Sequence, residues 1–374
     1  MRPARTKQQS RRPIRKVVLR LFAVVLGLYV LTLAVLFIGQ RELVFNTRHS
    51  RQATALAHEA RTALPVGVSR VALRTKGGDR VAAYFGRALL ADGRPDPHYA
   101  ARPTLLFFYG KGGSLAWERP LLASFRRLDA NVLMPDYVGF GLSGGEASEA
   151  NCYATADACY AYLRGRRDVN QHRIMVAGYS LGSGVAVDLA ARELAAHQPV
   201  AGLALFAAYT SLADEAHQQY PIYPAALLRV LLRYPFASLQ KIGRVTCPVL
   251  LVHSRDDRLI PFRMADALAA ACAGTVTRLD IRHADHGFYF TDAGRVIYPA
   301  LALFLERTSS HETHSSRPHP APYRLRASAS VFQAAGRNRP AGCHAHSPIK
   351  GSPRGPHARC RDVAGAHRRD GAGA

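Results

Sequence analysis

Short apolar runs alternate with amphipathic stretches from Val68 to Glu306, and this alternation restricts the possible folds more than any other feature. A first pair of runs reads as two paired strands, Val68–Thr75 and Arg80–Leu89. Six more runs are short and apolar: Thr104–Tyr109, Asn131–Asp136, Arg173–Tyr179, Ala201–Ala207, Val249–His253 and Thr275–Ile281. Strands buried on both faces of a sheet have this composition, and helices connect them when they are parallel. We therefore predict one α/β domain over residues 40–308, with a mostly parallel central sheet flanked by helices.

An uncharged apolar run, residues 21–38, precedes this domain and follows a basic head, residues 1–20, that contains no acid. At a rise of about 1.5 Å per residue the run reaches ~27 Å, just enough to cross a bilayer core. Basic residues favour the cytoplasmic side of a membrane. A retained signal anchor therefore places the domain outside the cytoplasm, which in a bacterium means the periplasm. A cleaved signal peptide is the alternative, although the run is longer than its usual apolar region.

The net charge of +24 would suggest a nucleic-acid partner if it lay in the folded domain. Two thirds of it lies in residues 1–20 and 309–374 instead, and we expect no nucleic-acid partner. Residues 309–374 are rich in Arg, His, Pro, Ser, Ala and Gly and have few large aliphatic residues, which predicts a disordered basic tail.

The strongest chemical signal is Gly178-Tyr179-Ser180-Leu181-Gly182, a G-x-S-x-G between a predicted strand and a predicted helix. Small residues beside the serine allow a sharp turn that exposes its hydroxyl at the edge of the sheet. A nucleophilic serine also needs a base and an acid that orients the base. Two later strands run into Asp256-Asp257 and into His283-Ala284-Asp285-His286, which supply two candidates for each role.

Taken together, these residues resemble the α/β-hydrolase superfamily, and in particular its members with an N-terminal membrane anchor. The segments that match are Gln40–Phe45, Asp136–Ser143, Thr210–Asp214 and Cys247–Leu250. The resemblance selects Asp257, which lies four residues before Pro261, as the acid, and His286 as the base. It also assigns the oxyanion site to the backbone amides of Lys111 and Leu181, although Tyr109-Gly110-Lys111 replaces the His-Gly-Asn common in relatives.

Two glycine patterns and the cysteines offer other interpretations. Gly139–Gly144 and Gly178–Gly184 fit glycine spacings of nicotinamide enzymes, but neither has the partner residues that such sites need, and we expect no cofactor. We also expect no metal site, and no disulfide between Cys152 and Cys159, whose Cα atoms would be about 10 Å apart in a helix.

A small cap insert is predicted after the sixth strand, at residues 211–246. Its leucines at helical spacing, among them Leu228 and Leu231, are expected either to pack in the core or to line an acyl pocket.

The resemblance implies a membrane-anchored serine hydrolase that acts on ester or thioester bonds of lipidic or acylated substrates through an acyl-enzyme. Two alternatives remain: a peptidase or amidase of the same fold, and a catalytically weak binding module, which the altered Tyr109-Gly110-Lys111 loop would favour.

Overall fold

The computed structural model describes residues 11–308, and in this part of the chain eight strands form one sheet. The strands are β1 Val68–Arg74, β2 Arg80–Gly86, β3 Thr104–Phe108, β4 Asn131–Pro135, β5 Ile174–Tyr179, β6 Gly202–Phe206, β7 Val249–Ser254 and β8 Val276–Ile281. Their order across the sheet is β1-β2-β4-β3-β5-β6-β7-β8. Strand β2 is antiparallel to β1 and β4, and the remaining pairs are parallel. The predicted mostly parallel sheet is therefore confirmed.

Helices flank the sheet. They are α1 Arg11–Phe45, α2 Thr47–Ser50, α3 Ala53–Arg61, α4 Leu115–Arg126, α5 Glu149–Arg164, α6 Leu181–Ala195, α7 Leu212–Gln219, α8 Ala225–Leu231, α9 Ser238–Ile242, α10 Phe262–Ala271 and α11 Gly294–Thr308. Every residue of β3, β4, β6 and β7 is buried, as expected for central strands covered on both faces.

Several element boundaries differ from those expected. Strand β2 ends at Gly86 rather than Leu89, because the chain leaves the sheet where the Arg126 Nε donates to the Arg87 carbonyl at 2.7 Å. Helix α6 begins at Leu181, directly after the turn at Ser180, so no linker separates the turn from the helix.

The N-terminal helix α1 is longer than the predicted 21–38 run and continues to Phe45. It ends there because Asn46 adopts a left-handed conformation, with φ 50° and ψ 49°. The helix is long and apolar enough to cross a membrane by length and composition, and most of its large apolar side chains are exposed. One stripe at helical spacing is partly or fully buried, and it consists of Tyr29, Leu33, Leu36, Phe37, Gln40 and Val44.

Helices α7, α8 and α9 lie between β6 and β7 and form the cap insert expected there. The α1 stripe packs against it, in a small apolar cluster of Ala213, Tyr223 and Leu228 with Tyr29, Leu33, Leu36, Ala216 and Leu232. The Gln40 side chain links the two parts, since its Nε2 donates to the Leu231 carbonyl at 3.0 Å and its Oε1 accepts from the Arg233 amide at 2.9 Å.

Two predicted segments fall partly or wholly outside the described residues. Residues 1–10 of the basic head and the whole tail, residues 309–374, belong to this group.

Candidate active site

Ser180 lies in the sharp turn between β5 and α6, with φ 53° and ψ −120°. This conformation is strained for a residue other than glycine, and such strain is typical of a nucleophile elbow. The neighbouring glycines are required by close packing: a Cβ on Gly178 would lie 2.1 Å from the Gly182 carbonyl oxygen. A Cβ on Gly182 would lie 2.0 Å from the Phe108 carbonyl oxygen, on the adjacent strand β3. Both glycines therefore allow the turn to sit against the sheet.

The structure brings Ser180, His286 and Asp257 into one hydrogen-bonded chain, although they lie on three separate loops. The Ser180 Oγ is 2.8 Å from His286 Nε2, and His286 Nδ1 is 2.9 Å from Asp257 Oδ2. The two alternatives, Asp256 and His283, pair with each other instead: the His283 amide donates to Asp256 Oδ2 at 2.6 Å.

The Asp257 carboxylate is held on both oxygens. Its Oδ1 accepts from the amides of Leu259 and Ile260 at 3.0 and 2.8 Å, while its Oδ2 accepts from His286 and from the Tyr289 hydroxyl. Burial would raise the pKa of this carboxyl, but the hydrogen bond and charge of His286 and the Ile260 amide outweigh burial and hold the pKa below its usual value. The side chain therefore stays ionised and orients the imidazole.

Two tyrosines support this chain of residues, and sequence reasoning missed both roles. The Tyr289 hydroxyl donates to Asp257 Oδ2 at 3.1 Å and accepts from the Ser254 amide at 2.7 Å. The ring of Tyr179 stacks on His286 with centroids 5.4 Å apart, and its hydroxyl donates to the His286 carbonyl. Position 179 is the variable residue of the G-x-S-x-G pattern, and Tyr289 follows His286 by three residues, so proximity in sequence was the only available signal.

The loop after β3 is fixed by a buried carboxylate. Asp136 accepts from the Tyr109 hydroxyl and the Leu115 amide, both at 2.7 Å, and from the Leu142 amide at 2.6 Å. Burial raises the pKa of Asp136 to about 6 despite these donors. The same loop is attached to the end of α1, because the Gly112 amide donates to the Phe45 carbonyl at 2.9 Å.

One cavity is lined by Ser180 and by the two residues of the expected oxyanion site, Lys111 and Leu181. Leu181 is the first residue of α6, so its amide belongs to the helix turn that lacks an intrahelical acceptor. Both amides are thus candidates for binding an oxygen beside Ser180.

The cavity has a volume of about 270 Å³, near the lower end of the ~300–1,000 Å³ usual for small-molecule sites. Its lining is mostly apolar and comes from α1, from the cap and from the sheet edge around Ser180. The α1 contribution is Leu33, Leu36, Phe37, Gln40, Leu43 and Val44. The predicted cap residues Leu228 and Leu231 both line it.

Two charged side chains also line this cavity, Lys111 and Glu215. Burial raises the pKa of Glu215, and the positive charges of Lys111 and His286 oppose that rise.

Within the described residues no group of three or more His, Cys, Asp or Glu could hold a metal ion. Cys152, Cys159, Cys247 and Cys272 are free thiols.

Comparison with known proteins gives a consistent result. The sequence model of the alpha/beta hydrolase fold matches residues 103–240. An uncharacterised protein of Mycobacterium tuberculosis is 31% identical over 250 residues, which is 67% of this chain and 83% of the relative. Alpha/beta hydrolase domain-containing protein 17B of Xenopus tropicalis is 30% identical over 218 residues, 57% of this chain and 67% of the relative.

Solved structures agree on the fold. An alpha-beta hydrolase from Vibrio vulnificus superposes with a TM-score of 0.56 at 18% identity, covering 71% of this chain and 90% of that one. The Pyrococcus furiosus esterase Pf2001 does so with a TM-score of 0.50 at 17% identity, covering 64% of this chain and 92% of that one. From its sheet topology and its relatives alike, the chain belongs to the α/β-hydrolase family.

Proposed function

We propose that this protein is a membrane-anchored serine hydrolase that cleaves ester or thioester bonds of lipidic or acylated substrates. The observation that carries the proposal is the Ser180–His286–Asp257 chain, with distances of 2.8 and 2.9 Å, at the wall of an apolar cavity. The esterase from Pyrococcus furiosus, a solved structure, has the same fold.

The proposed reaction follows from the order in which the three side chains are hydrogen-bonded. His286 Nε2 takes the proton of Ser180 Oγ as the oxygen attacks the acyl carbonyl, and the anionic Asp257 stabilises the imidazolium that results. The amides of Lys111 and Leu181 donate to the oxygen of the tetrahedral intermediate, and one such donor lowers the barrier by about 2.7–4 kcal/mol. His286 then protonates the leaving group, and water clears the acyl-enzyme with His286 again acting as the base.

We further propose that α1 spans the membrane with its basic N-terminal end in the cytoplasm, so that the catalytic domain lies outside it. The support is the length and composition of α1 and the basic residues that precede its apolar run. Added protease should therefore digest the catalytic domain in intact spheroplasts or cells, whereas protection of the domain until the membrane is opened would reverse this topology.

Labelling with an alkyl fluorophosphonate tests the nucleophile. Wild-type protein should be labelled and Ser180→Ala should not. Ser124→Ala, which removes a half-buried serine hydroxyl that donates to the Pro120 carbonyl, should be labelled as fast as wild type. Equal labelling of Ser180→Ala, or no labelling of folded wild-type protein, would refute the proposed role and leave a binding module. Release of p-nitrophenol from the ester, compared with p-nitroaniline from the matching amide, separates an esterase from an amidase.

A further inference from the structure

The apolar wall that α1 gives to the cavity lies inside the segment that is expected to cross the bilayer. Leu33, Leu36 and Phe37 line the cavity and belong to the apolar run that ends at Ile38. Contact between α1 and the cap extends further, to Tyr29, whose ring centroid is 5.1 Å from that of Tyr223. Ile38 lies nine positions after Tyr29, so the cap follows α1 for about 14 Å of the run.

Because the cap contacts half of the apolar run, it cannot lie entirely outside the hydrocarbon core of the bilayer if α1 spans that core. A bilayer core is about 30 Å thick, and the whole run of 18 residues measures ~27 Å. If the cap were kept entirely in water, only residues 21–28, about 12 Å of helix, would remain to cross the core. The cap surface beside α1 therefore lies at the depth of the acyl chains.

The surface of the cap fits that depth. Ile222 and Val230 are 69% and 82% exposed, although both are large apolar residues. Arg233 lies over the Phe37 ring, with its guanidinium carbon 4.2 Å from the centroid. Arg229, which precedes Val230, is largely exposed and forms an ion pair with Asp214 at 3.0 Å. Apolar side chains flanked by long cationic ones are typical of a surface at the boundary of a bilayer, where the charged groups reach back to water.

We propose that α1 is one wall of the acyl-binding site, and that the acyl chain of a bilayer-held ester or thioester reaches Ser180 laterally, between α1 and the cap. The chain would lie between Leu33, Leu36 and Phe37 on one side and Tyr223 and Leu228 on the other. The carbonyl then meets Ser180 at the inner end, where Lys111 and Leu181 line the same cavity. Gln40, buried between the two walls, holds them together through the Leu231 carbonyl and the Arg233 amide.

This inference rests on the proposed hydrolase activity for its substrate, but its geometry makes a separate prediction. Leu36→Trp fills the space between α1 and α8, whereas Val35→Trp adds the same bulk at a neighbouring position that is 61% exposed and does not line the cavity. Both variants leave Ser180, His286 and Asp257 unchanged.

The test uses the full chain in phosphatidylcholine vesicles, with p-nitrophenyl butyrate and p-nitrophenyl palmitate as substrates. Leu36→Trp should lower kcat/KM for palmitate at least about tenfold more than it lowers kcat/KM for butyrate, because a pocket discriminates between substrates by fit in this range. Val35→Trp should match wild type on both esters. An equal loss on both esters, no loss on either, or the same loss in Val35→Trp would overturn the proposal.

Two further arms distinguish the source of the acyl chain. Vesicles that carry monopalmitoylglycerol test a lipid ester, and vesicles that carry an S-palmitoylated peptide test a lipidated protein. A selective loss in Leu36→Trp with either substrate supports lateral access, and unchanged rates with both contradict it.

A measurement independent of catalysis keeps the two proposals separable. Palmitic acid with a terminal diazirine, held in the vesicles and photolysed, should crosslink to α1 or α8 in Ser180→Ala, and Leu36→Trp should reduce that crosslink. Absence of the crosslink would overturn the acyl path even if the enzyme is active. Its presence in a protein that resists fluorophosphonate would preserve the path and refute the hydrolase.

Discussion

Tyr289 offers a sharp test of how the proposed acid is positioned. Tyr289 is buried, with 1% of the residue exposed. Its hydroxyl donates to Asp257 Oδ2 and accepts from the Ser254 amide. Tyr289→Phe removes only this oxygen. The ring should keep its contacts with Tyr179 and His286, at centroid distances of 5.8 and 6.4 Å.

The expected cost follows from the two lost bonds. A hydrogen bond to a charged group contributes about 1.5–3 kcal/mol, and a buried amide left without an acceptor costs about 1–3 kcal/mol. Because removal of the hydroxyl also removes its own desolvation cost, we expect a net loss of about 3 kcal/mol in the free energy of unfolding. At roughly 2–4 °C per kcal/mol for a domain of this size, the thermal midpoint should fall by about 6–12 °C.

Activity should suffer much less than stability. Asp257 keeps its bond to His286 and its two backbone donors, Leu259 and Ile260, so the imidazole stays oriented and kcat should fall by about tenfold at most. Thermal unfolding and steady-state hydrolysis of p-nitrophenyl butyrate, both in detergent, measure the two effects. Tyr298→Phe is the matched control, since its hydroxyl donates to the Phe290 carbonyl at 3.1 Å and has no contact with the acid. A midpoint shift no larger than that of Tyr298→Phe, or a kcat loss approaching 10⁴-fold, would refute this reasoning.

Three further predictions concern Asp257, the contact between α1 and the cap, and the half-buried carboxyl of Glu118. Asp257→Asn should lower kcat by about 10⁴-fold while the protein remains folded, because a neutral amide no longer stabilises the imidazolium. Steady-state hydrolysis measures this loss, and a loss under tenfold would remove Asp257 from the mechanism. Gln40→Met should speed proteolytic cleavage within residues 220–233, because the cap loses both hydrogen bonds from α1, at Leu231 and at Arg233. Gln40→Glu keeps only the acceptor and should be cleaved at an intermediate rate, and unchanged cleavage would show that the contact does not hold the cap. Burial and the nearby charge of Asp136 raise the pKa of Glu118 to about 7, from 4.5. A raised carboxyl pKa favours folding below the unfolded value and loses that contribution as pH rises through 7, so the thermal midpoint should fall between pH 5 and pH 8 and fall less in Glu118→Gln; parallel profiles would contradict the assignment.

The sheet could be predicted from sequence because its central strands are buried on both faces. Runs such as Thr104–Tyr109 and Arg173–Tyr179 differ from the observed strands by one residue at one end. The Ser180 turn could be located for a related reason, since glycines on both sides of a serine after a strand record a steric requirement that is local in sequence. The pairing of His286 and Asp257 with that serine could be predicted only from the resemblance to relatives, because the sequence offered two candidates for each role.

Features that depend on contacts between distant segments gave no such signal. Gln40 and Leu231 are 191 residues apart, and no periodicity within either segment indicates that they meet. The role of Tyr289 was missed because a buried aromatic side chain is usually part of the core packing, and only the position of its hydroxyl shows otherwise. Helix α3, Ala53–Arg61, was also missed: it is short and polar, and its Glu59 is buried against Arg119 from α4.

The attachment of Gly112 to the Phe45 carbonyl has a consequence for where the reaction can occur. The helix expected to cross the membrane and the loop expected to bind the oxyanion are joined by one backbone hydrogen bond, and the same helix closes the side of the acyl cavity. A proteolytic cut after Ile38 would release a domain with an open groove and an exposed cap. On our proposal, such a shed domain would not carry the activity into solution. Turnover would be restricted to acyl groups that diffuse within the same membrane as the enzyme, so that the two-dimensional density of substrate, rather than its bulk concentration, sets the rate.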